Sequence, residues 1–315
     1  MVGTGVSPKI LVIKTGALGD FIQALGPMRA IRKHHPDGDI TLLTTEPFVG
    51  FGKASGYFND IWIDPRPGWN NPATWLIWRR KLIDGRFLRV YDLQNNDRTE
   101  LYLHLMGRRR VEWVGAARGA SHRNASKLRS VGQAFDGHVQ TLGLVGINDI
   151  SIDPMDWVTG DISRFSLRRP YMLIVPGCAP AHPEKRWPAE RYGAFARAIE
   201  DRGFQPVVIG TVADADAAET ICRISPKTIS LIGKTSLLDI VLLAREASAA
   251  VGNDTGPMHI IAATGCPVWV LFSRKTNPVR HAPKGDAVHI IRKDNLNDLG
   301  VDEVAAQLKE TDFRR

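Results

Sequence analysis

Short runs rich in β-branched residues recur along this 315-residue chain, and helix-like stretches separate them. Strands that alternate with helices pair in parallel, because each helix returns the chain to the start of the next strand. In the first half, the pattern predicts strands at 10–14, 40–45, 61–65, 89–94 and 111–115. In the second half, it predicts strands at 171–177, 206–210, 228–233, 249–253, 267–272 and 288–292.

The restart of this alternation at residue 171 predicts two doubly wound α/β domains, which we place at 1–163 and 164–315. The predicted linker is 155–170, which is polar and ends in proline. Ligands of such domains bind outside the carboxyl ends of the strands. We therefore expect the chemistry on the loops that follow the strands, in a cleft between two facing domains.

Composition indicates a soluble globular protein, and its net charge favours anionic partners. No apolar run approaches the ~20 residues that cross a bilayer, and the first apolar block is too short for a signal peptide. The three cysteines show neither disulfide nor metal-ligand spacing, which indicates a reducing cytoplasm. A net charge of +8 favours nucleotides, phosphorylated glycolipid, acidic membrane or nucleic acid, although it is also explained by solubility alone.

The loop after the first strand, "IKTGALGDFIQAL", combines close-approach glycines with an acid. Gly16 and Gly19 let the backbone turn sharply beside a ligand, and Asp20 falls near a helix start. Asp20 is thus either a helix N-cap or a functional carboxylate. A buried stripe is predicted to follow it, at Ile22, Leu25 and Met28. The dinucleotide fingerprint GxGxxG is absent, which argues against a dehydrogenase.

Cations follow the first strand of the second half. Gly177 opens that loop, and Lys185 and Arg186 stand just before a predicted helix. A cation beside a helix start suits a phosphate, because the free N–H groups and the dipole already favour an anion. The alternative is a solvated basic loop that Trp187 anchors to the core.

Two acids follow the next strand. Asp214 and Asp216 have a spacing that can hold a divalent metal, but they fall at a helix start, where the dipole favours acids in any case. One of them could instead accept hydrogen bonds from ribose hydroxyls. The run "GKT" at 233–235 is not a P-loop, because Thr228 stands where that pattern requires glycine. We expect a strand end there, with Ser236 capping the next helix.

The stretch "VGNDTGPMH" at 251–259 sets several polar groups between two apolar runs. Asp254, Thr255 and Gly256 fall on the turn that opens a predicted helix, and His259 adds a donor on its first turn. Backbone N–H groups at such a start point outward at an anion. This density of polar groups favours a diphosphate cradle over a capped helix with a satisfied histidine.

Four segments resemble the ADP-heptose:lipopolysaccharide heptosyltransferases, glycosyltransferase family 9. They are 10–33, 90–107, 176–199 and 231–272. The resemblance implies the GT-B fold, with two Rossmann-like domains facing across a cleft, and inverting transfer without a metal or other cofactor. This chain departs from the family at Gln23, where histidine is common, and at Cys178, Ala179 and Pro180, where serine or threonine is common.

The resemblance also assigns roles. It implies that Asp20, after Gly19, is the catalytic base and that Lys185, in the loop opened by Gly177, binds phosphate. The residues that it implies for the diphosphate are Asp254, Thr255, Gly256 and His259. Thr235 would lie near the adenine, and either Asp214 or Asp216 would meet the ribose.

The expected activity is inverting transfer of a heptose from ADP-heptose, or a related nucleotide sugar, to a lipopolysaccharide inner-core acceptor. The expected location is cytoplasmic, with peripheral contact at the inner face of the inner membrane. Another sugar or acceptor is possible, and so is a non-catalytic protein that binds nucleotide sugars or nucleic acid. The basic segment 108–129 would suit RNA or acidic lipid, although we expect no nucleic acid.

Candidate acceptor contacts are four arginines of the first half, Arg79, Arg80, Arg118 and Arg123. The first two lie in 74–89, "TWLIWRRKLIDGRFLR", which mixes tryptophans with cations. Such a mixture suits an interfacial position near anionic headgroups. It equally suits an amphipathic helix that packs its tryptophans on the sheet.

Overall fold

The computed structural model describes residues 7–107, 111–179, 181–308 and 313. Internal contacts divide the chain into two units, Met1–Ile152 and Asp153–Arg315. This division falls before our boundary at 163, because Arg245 holds the intervening segment on the second unit. Its guanidinium donates to the carbonyl oxygens of Met155 and Val158.

The first unit is a parallel sheet with helices between its strands. Its strands in the described residues are β1 (Lys9–Ile13), β2 (Asp39–Thr44), β3 (Asp60–Ile63), β4 (Arg89–Asp92), β5 (Glu112–Gly115) and β6 (His122–Arg123). Its helices there are α1 (Leu18–His34), α2 (Val49–Ser55), α3 (Pro72–Asp84), α4 (Asp97–Met106) and α5 (Ala134–Gly143). The strand order is β3-β2-β1-β4-β5-β6, so the winding direction reverses between β1 and β4.

The second unit repeats this plan. Its strands in the described residues are β7 (Tyr171–Val175), β8 (Gln205–Val208), β9 (Ile229–Ser230), β10 (Ala249–Asn253), β11 (Val268–Phe272) and β12 (Val288–Arg292). Its helices there are α6 (Ala189–Asp201), α7 (Ala215–Ile224), α8 (Leu237–Glu246), α9 (Gly256–Ala263), α10 (Pro278–His281) and α11 (Val301–Gln307). The order β12-β11-β10-β7-β8-β9 places the reversal between β7 and β10.

Each strand predicted from the sequence is present, and the pairings are parallel as expected. The pattern missed β6, which has two residues and no apolar run. β7, β10 and β11 are buried along their whole length, as strands covered by helices on both faces must be. The predicted stripe on α1 is confirmed, since Ile22, Leu25 and Met28 are buried.

The described residues contain no helix with the length and apolar character that spanning a bilayer requires. The start of the basic segment at 108–110, and Pro180, lie outside the described residues.

Candidate active site

The winding reversal of the second unit brings the two main phosphate candidates together. Lys185 lies in the loop after β7, and Asp254 follows the neighbouring strand β10. The Lys185 Nζ is 2.8 Å from Asp254 Oδ2. The side chains are 19% and 7% exposed, so the pair is largely withdrawn from water. The sequence predicted both positions but not that they bind each other.

Asn253, the last residue of β10, organises this junction and was not predicted. It is fully buried, and its Oδ1 accepts hydrogen bonds from the backbone N of Trp187 at 3.0 Å and the hydroxyl of Tyr192 at 2.9 Å. Its Nδ2 donates to the carbonyl oxygen of Pro176 at 2.7 Å. One amide therefore ties the loop that carries Lys185 to the end of β10. An asparagine ending an apolar run was the available signal.

The helix start at 255–259 has a free cap position. Thr255 is the N-cap of α9, with extended backbone, but its side chain makes no capping hydrogen bond. The alternative of a capped helix with a satisfied histidine is therefore wrong in its cap, because the Thr255 side chain does not cap α9. Gly252 lets α9 come close to the sheet, since a Cβ there would lie 2.6 Å from Met258 Sδ. His259 is buried on the first turn.

The two DxD acids occupy different environments. Asp214 is buried, and its Oδ2 accepts from the backbone N of Thr211 at 3.0 Å and from its hydroxyl at 3.1 Å. Its Oδ1 lies 3.8 Å from the Arg186 guanidinium. Gly177 makes room for this carboxylate, because a Cβ there would lie 2.6 Å from it. Asp216 is exposed on the first turn of α7.

The loop after β9 lies beside an exposed apolar side chain. Gly233 has a positive φ of 70°, and a Cβ there would lie 2.9 Å from Val212 Cγ1. Thr235 follows two residues later and is half-buried. The predicted cap is confirmed, since Ser236 Oγ accepts from the backbone N of Asp239. An apolar side chain beside an open loop can cover one face of a flat ring.

In the first unit, Asp20 is the third residue of α1, and Ala17 is the N-cap. The N-cap interpretation of Asp20 is therefore wrong, and its carboxylate is half-buried in the first turn. The loop between β1 and α1 is held by hydrogen bonds with residues in the loops that follow β3 and β4. The Thr15 carbonyl oxygen accepts from Arg66 at 3.0 Å, and the Thr15 N donates to Gln94 Oε1 at 2.9 Å. Gly19 is buried in the same turn.

A buried lysine close to Asp20 was also missed. Lys14 ends up inside the unit because it continues β1, and its Nζ donates to the Leu93 carbonyl oxygen at 3.2 Å. Burial lowers the pKa of Lys14, while the nearby charges of Asp20 and Asp92 oppose that shift. Burial also lowers the pKa of His138 well below its usual value, and the Lys14 charge adds to this.

The departure at Gln23 has a structural explanation. Its side chain is buried, and its Oε1 accepts a hydrogen bond at 2.9 Å from the backbone N of Phe135, in the first turn of α5. Gln23 therefore binds the backbone of a neighbouring helix.

The four candidate acceptor arginines fall in two places. Arg118 and Arg123 are exposed and follow or end the strands β5 and β6. Because the carboxyl ends of parallel strands lie at one edge of a sheet, Arg118 and Arg123 lie at the same edge as the loop that carries Asp20. Arg79 and Arg80 are exposed on α3, which runs back toward the amino edge.

The sequence of the second unit is similar to that of known glycosyltransferases. Residues 152–306 match the model of glycosyltransferase family 9 (heptosyltransferase). Lipooligosaccharide heptosyltransferase 2 of Haemophilus influenzae is 34% identical over 129 residues, which cover 39% of this chain and 37% of that protein. This chain thus spans well under half the length of that curated relative.

Two solved structures share the fold over nearly the whole chain. Escherichia coli ADP-heptose lipopolysaccharide heptosyltransferase II is 19% identical with a TM-score of 0.76, and the match covers 95% of this chain and 97% of that one. E. coli heptosyltransferase WaaC with ADP-2-deoxy-2-fluoro heptose is 17% identical with a TM-score of 0.74, over 96% and 99%. The predicted GT-B fold, with two Rossmann-like units, is confirmed.

Proposed function

We propose that this chain, whose residues 152–306 match the model of glycosyltransferase family 9, transfers a heptose from ADP-heptose or a related nucleotide sugar to the inner core of lipopolysaccharide. The observation that carries the proposal is the Lys185–Asp254 pair at the start of α9, at the winding reversal between β7 and β10. Doubly wound sheets bind their ligands at such a reversal. The heptosyltransferase relatives and the ADP-sugar in one solved neighbour support the donor class.

The donor diphosphate is assigned to the start of α9. Free backbone N–H groups and the helix dipole attract the anion there, and Thr255 has a hydroxyl that does not cap the helix. Lys185 supplies a full positive charge, and we assign His259 and Gly256 to the same site. Asp254 acts mainly by holding the Lys185 ammonium in place, since a carboxylate repels phosphate oxygens.

The nucleoside is assigned to the neighbouring loops after β8 and β9. Val212 and Thr235 would flank the adenine, and Gly233 leaves room for it. Asp214 is the stronger candidate for the ribose, because Thr211 already fixes its carboxylate and because its Oδ1 lies 3.8 Å from Arg186, beyond hydrogen-bond distance. Asp216 remains the alternative.

The reaction is assigned to Asp20 as general base. Its carboxylate accepts the proton of the acceptor hydroxyl while that oxygen attacks the anomeric carbon. The bond between that carbon and the diphosphate oxygen breaks, ADP leaves, and the configuration inverts. Lys185 and the α9 start stabilise the charge that builds on the departing diphosphate, so this chemistry requires no metal ion.

The acceptor is assigned to the first unit. Arg118 and Arg123 share the carboxyl edge with Asp20, so they suit phosphate groups on the core near the reacting hydroxyl. Arg79 and Arg80 suit the end of the acceptor that enters the lipid. The enzyme would then act from the cytoplasm as a peripheral protein at the inner face of the inner membrane.

The test is ADP release with ADP-heptose and a truncated core acceptor. We expect turnover that requires both substrates and that Asp20→Asn abolishes without weakening ADP binding. Asp37→Asn is the matched control, because Asp37 is an exposed acid in the turn before β2. Saturable ADP-heptose binding without ADP release would instead identify a non-catalytic nucleotide-sugar binder.

A further inference from the structure

A cleft of about 440 Å³ lies between α3 and the amino edge of the first sheet. It is lined by Lys9, Trp62, Ile77, Arg80, Lys81, Asp84 and Gly85. Lys9 is the first residue of β1, whereas Asp20 follows the other end of that strand. A five-residue strand spans about 15 Å, so the cleft is separate from the carboxyl edge where the reacting groups are assigned.

The cleft carries excess positive charge. Its lining offers three cations against one carboxylate, that of Asp84. The Arg80 Nε lies 3.5 Å from an Asp84 carboxylate oxygen, but both side chains are mostly exposed, so this pairing leaves the other cations unbalanced. The Lys81 Nζ lies 4.5 Å from the centre of the Trp62 ring, which holds the ammonium at the cleft wall. The fixed charges favour an anion.

Exposed apolar side chains lie on the outer face of α3, and one of them, Ile77, lines the cleft. α3 buries Trp78 and Leu82 against the sheet, which confirms the packed-helix interpretation for that face. On the outer face, however, Leu76 is 67% exposed and Ile77 is 71% exposed. Large apolar residues beside cations on the outer face of a helix are typical of helices that lie at a membrane surface. The inner face of α3 is thus packed on the sheet, and its outer face has the composition on which the interfacial interpretation of 74–89 depends.

We propose that this cleft binds the phosphate of an anionic phospholipid and that α3 thereby seats the protein on the bilayer surface. Lys9, Arg80 and Lys81 would bind the headgroup, while Leu76 and Ile77 would enter the acyl boundary. An apolar rim suits an amphiphile better than a soluble anion. The inference deepens the membrane contact of the proposed function, but it does not depend on which sugar is transferred.

The test is co-sedimentation of the full chain with phosphatidylcholine vesicles that contain or lack phosphatidylglycerol and that contain no glycolipid acceptor. The site variant is Lys9→Gln/Lys81→Gln, and the control is Lys33→Gln/Lys53→Gln, which removes two exposed cations of the first unit that line neither the cleft nor the basic segment 108–129. A basic residue at an anionic surface contributes about fivefold to partitioning, so we expect the site variant to lose about 25-fold in anionic vesicles. The control should lose far less. Equal losses in the two variants would show that net charge alone acts and would overturn the site.

A second arm separates a lipid from a free anion. Leu76→Ser/Ile77→Ser should weaken vesicle binding although it removes no charge, and inorganic phosphate should not displace the vesicles. If phosphate displaces them and the serine variant binds normally, the cleft is a soluble-anion site and the proposal fails. Urea unfolding of every variant shows whether the first unit, which carries all of these substitutions, remains folded. Vesicle binding without any sugar transfer would refute the proposed function and leave this inference standing.

Discussion

Removing the Lys185 ammonium should weaken ADP binding and destabilise the second unit at the same time. The ammonium lies 2.8 Å from Asp254 Oδ2, and both side chains are largely buried. At that separation, Coulomb's law with an effective dielectric constant of about 20 gives about 6 kcal/mol of attraction. Desolvation of the two charges offsets much of this, so removing one partner should lower the free energy of unfolding by about 3 kcal/mol.

The assay is a double-mutant cycle with Lys185→Met, Asp254→Asn and the double variant, followed by urea unfolding and by ADP titration calorimetry. The unfolding measurements should give a coupling free energy of about 2–3 kcal/mol between the two side chains. Lys185→Met should weaken ADP binding by about 1.5–3 kcal/mol, or roughly 10- to 150-fold, because it removes a charge-assisted hydrogen bond. Asp254→Asn should not weaken ADP binding, since it removes an anion beside the diphosphate.

The matched control is Lys227→Met. Lys227 is also 2.8 Å from a carboxylate, that of Glu200, but its side chain is 72% exposed. Water already surrounds most of the Lys227 ammonium, so this variant should leave ADP affinity unchanged and should destabilise the unit far less than Lys185→Met does. Unchanged ADP affinity in Lys185→Met would remove that residue from the phosphate site. Stability effects that add within about 0.5 kcal/mol would refute the coupling.

Three further predictions concern Asp20, the effect of a chelator and the titration of His138. Asp20→Asn should abolish ADP release yet keep ADP affinity, since Asp20 belongs to the other unit, and near-normal turnover would exclude it as the base. EDTA should not inhibit, because Lys185 and the α9 start supply the positive charge; loss of activity that magnesium or manganese restores would make Asp214 and Asp216 metal ligands. The pKa of His138 is lowered in the folded chain, so below about pH 6.5 a proton binds this imidazole in the unfolded chain but not in the folded one. The free energy of unfolding therefore decreases as the pH is lowered through this range. In urea unfolding from about pH 7.5 to about pH 5.5, His138→Gln should therefore flatten the pH dependence by up to about 1.4 kcal/mol per pH unit, and an unchanged slope would contradict this.

The strands could be predicted because covered parallel strands need continuous β-branched runs, and such runs are visible in sequence. β6 could not, since its two residues, His122 and Arg123, pair with β5 only because the fold places them there. The strand predicted at 228–233 shortens to Ile229–Ser230, because Gly233 turns the chain with a positive φ.

The candidate site could be predicted from the sequence in its residue types but not in its pairings. Local sequence patterns predict that Lys185 and Asp254 each suit an anion site. The contact between the two residues, however, depends on β7 and β10 being neighbours in the sheet. For the same reason, no sequence pattern indicated that Lys14 would be buried near Asp20. Lysine is seldom buried, and only the position of Lys14 directly after β1 places it inside the unit.

In the proposed diphosphate site, the Lys185–Asp254 pair holds a cation in position before the ligand arrives. Without a partner, a flexible lysine would have to be ordered on binding, which costs conformational entropy. Asp254 fixes that ammonium in advance, and Asn253 fixes the loop behind it through the backbone N of Trp187 and the carbonyl oxygen of Pro176. Some affinity is lost, because the carboxylate also repels phosphate. Weaker binding of ADP is useful to a transferase, because ADP must leave after each turnover. A cation that is already in position also stabilises the departing diphosphate without further rearrangement.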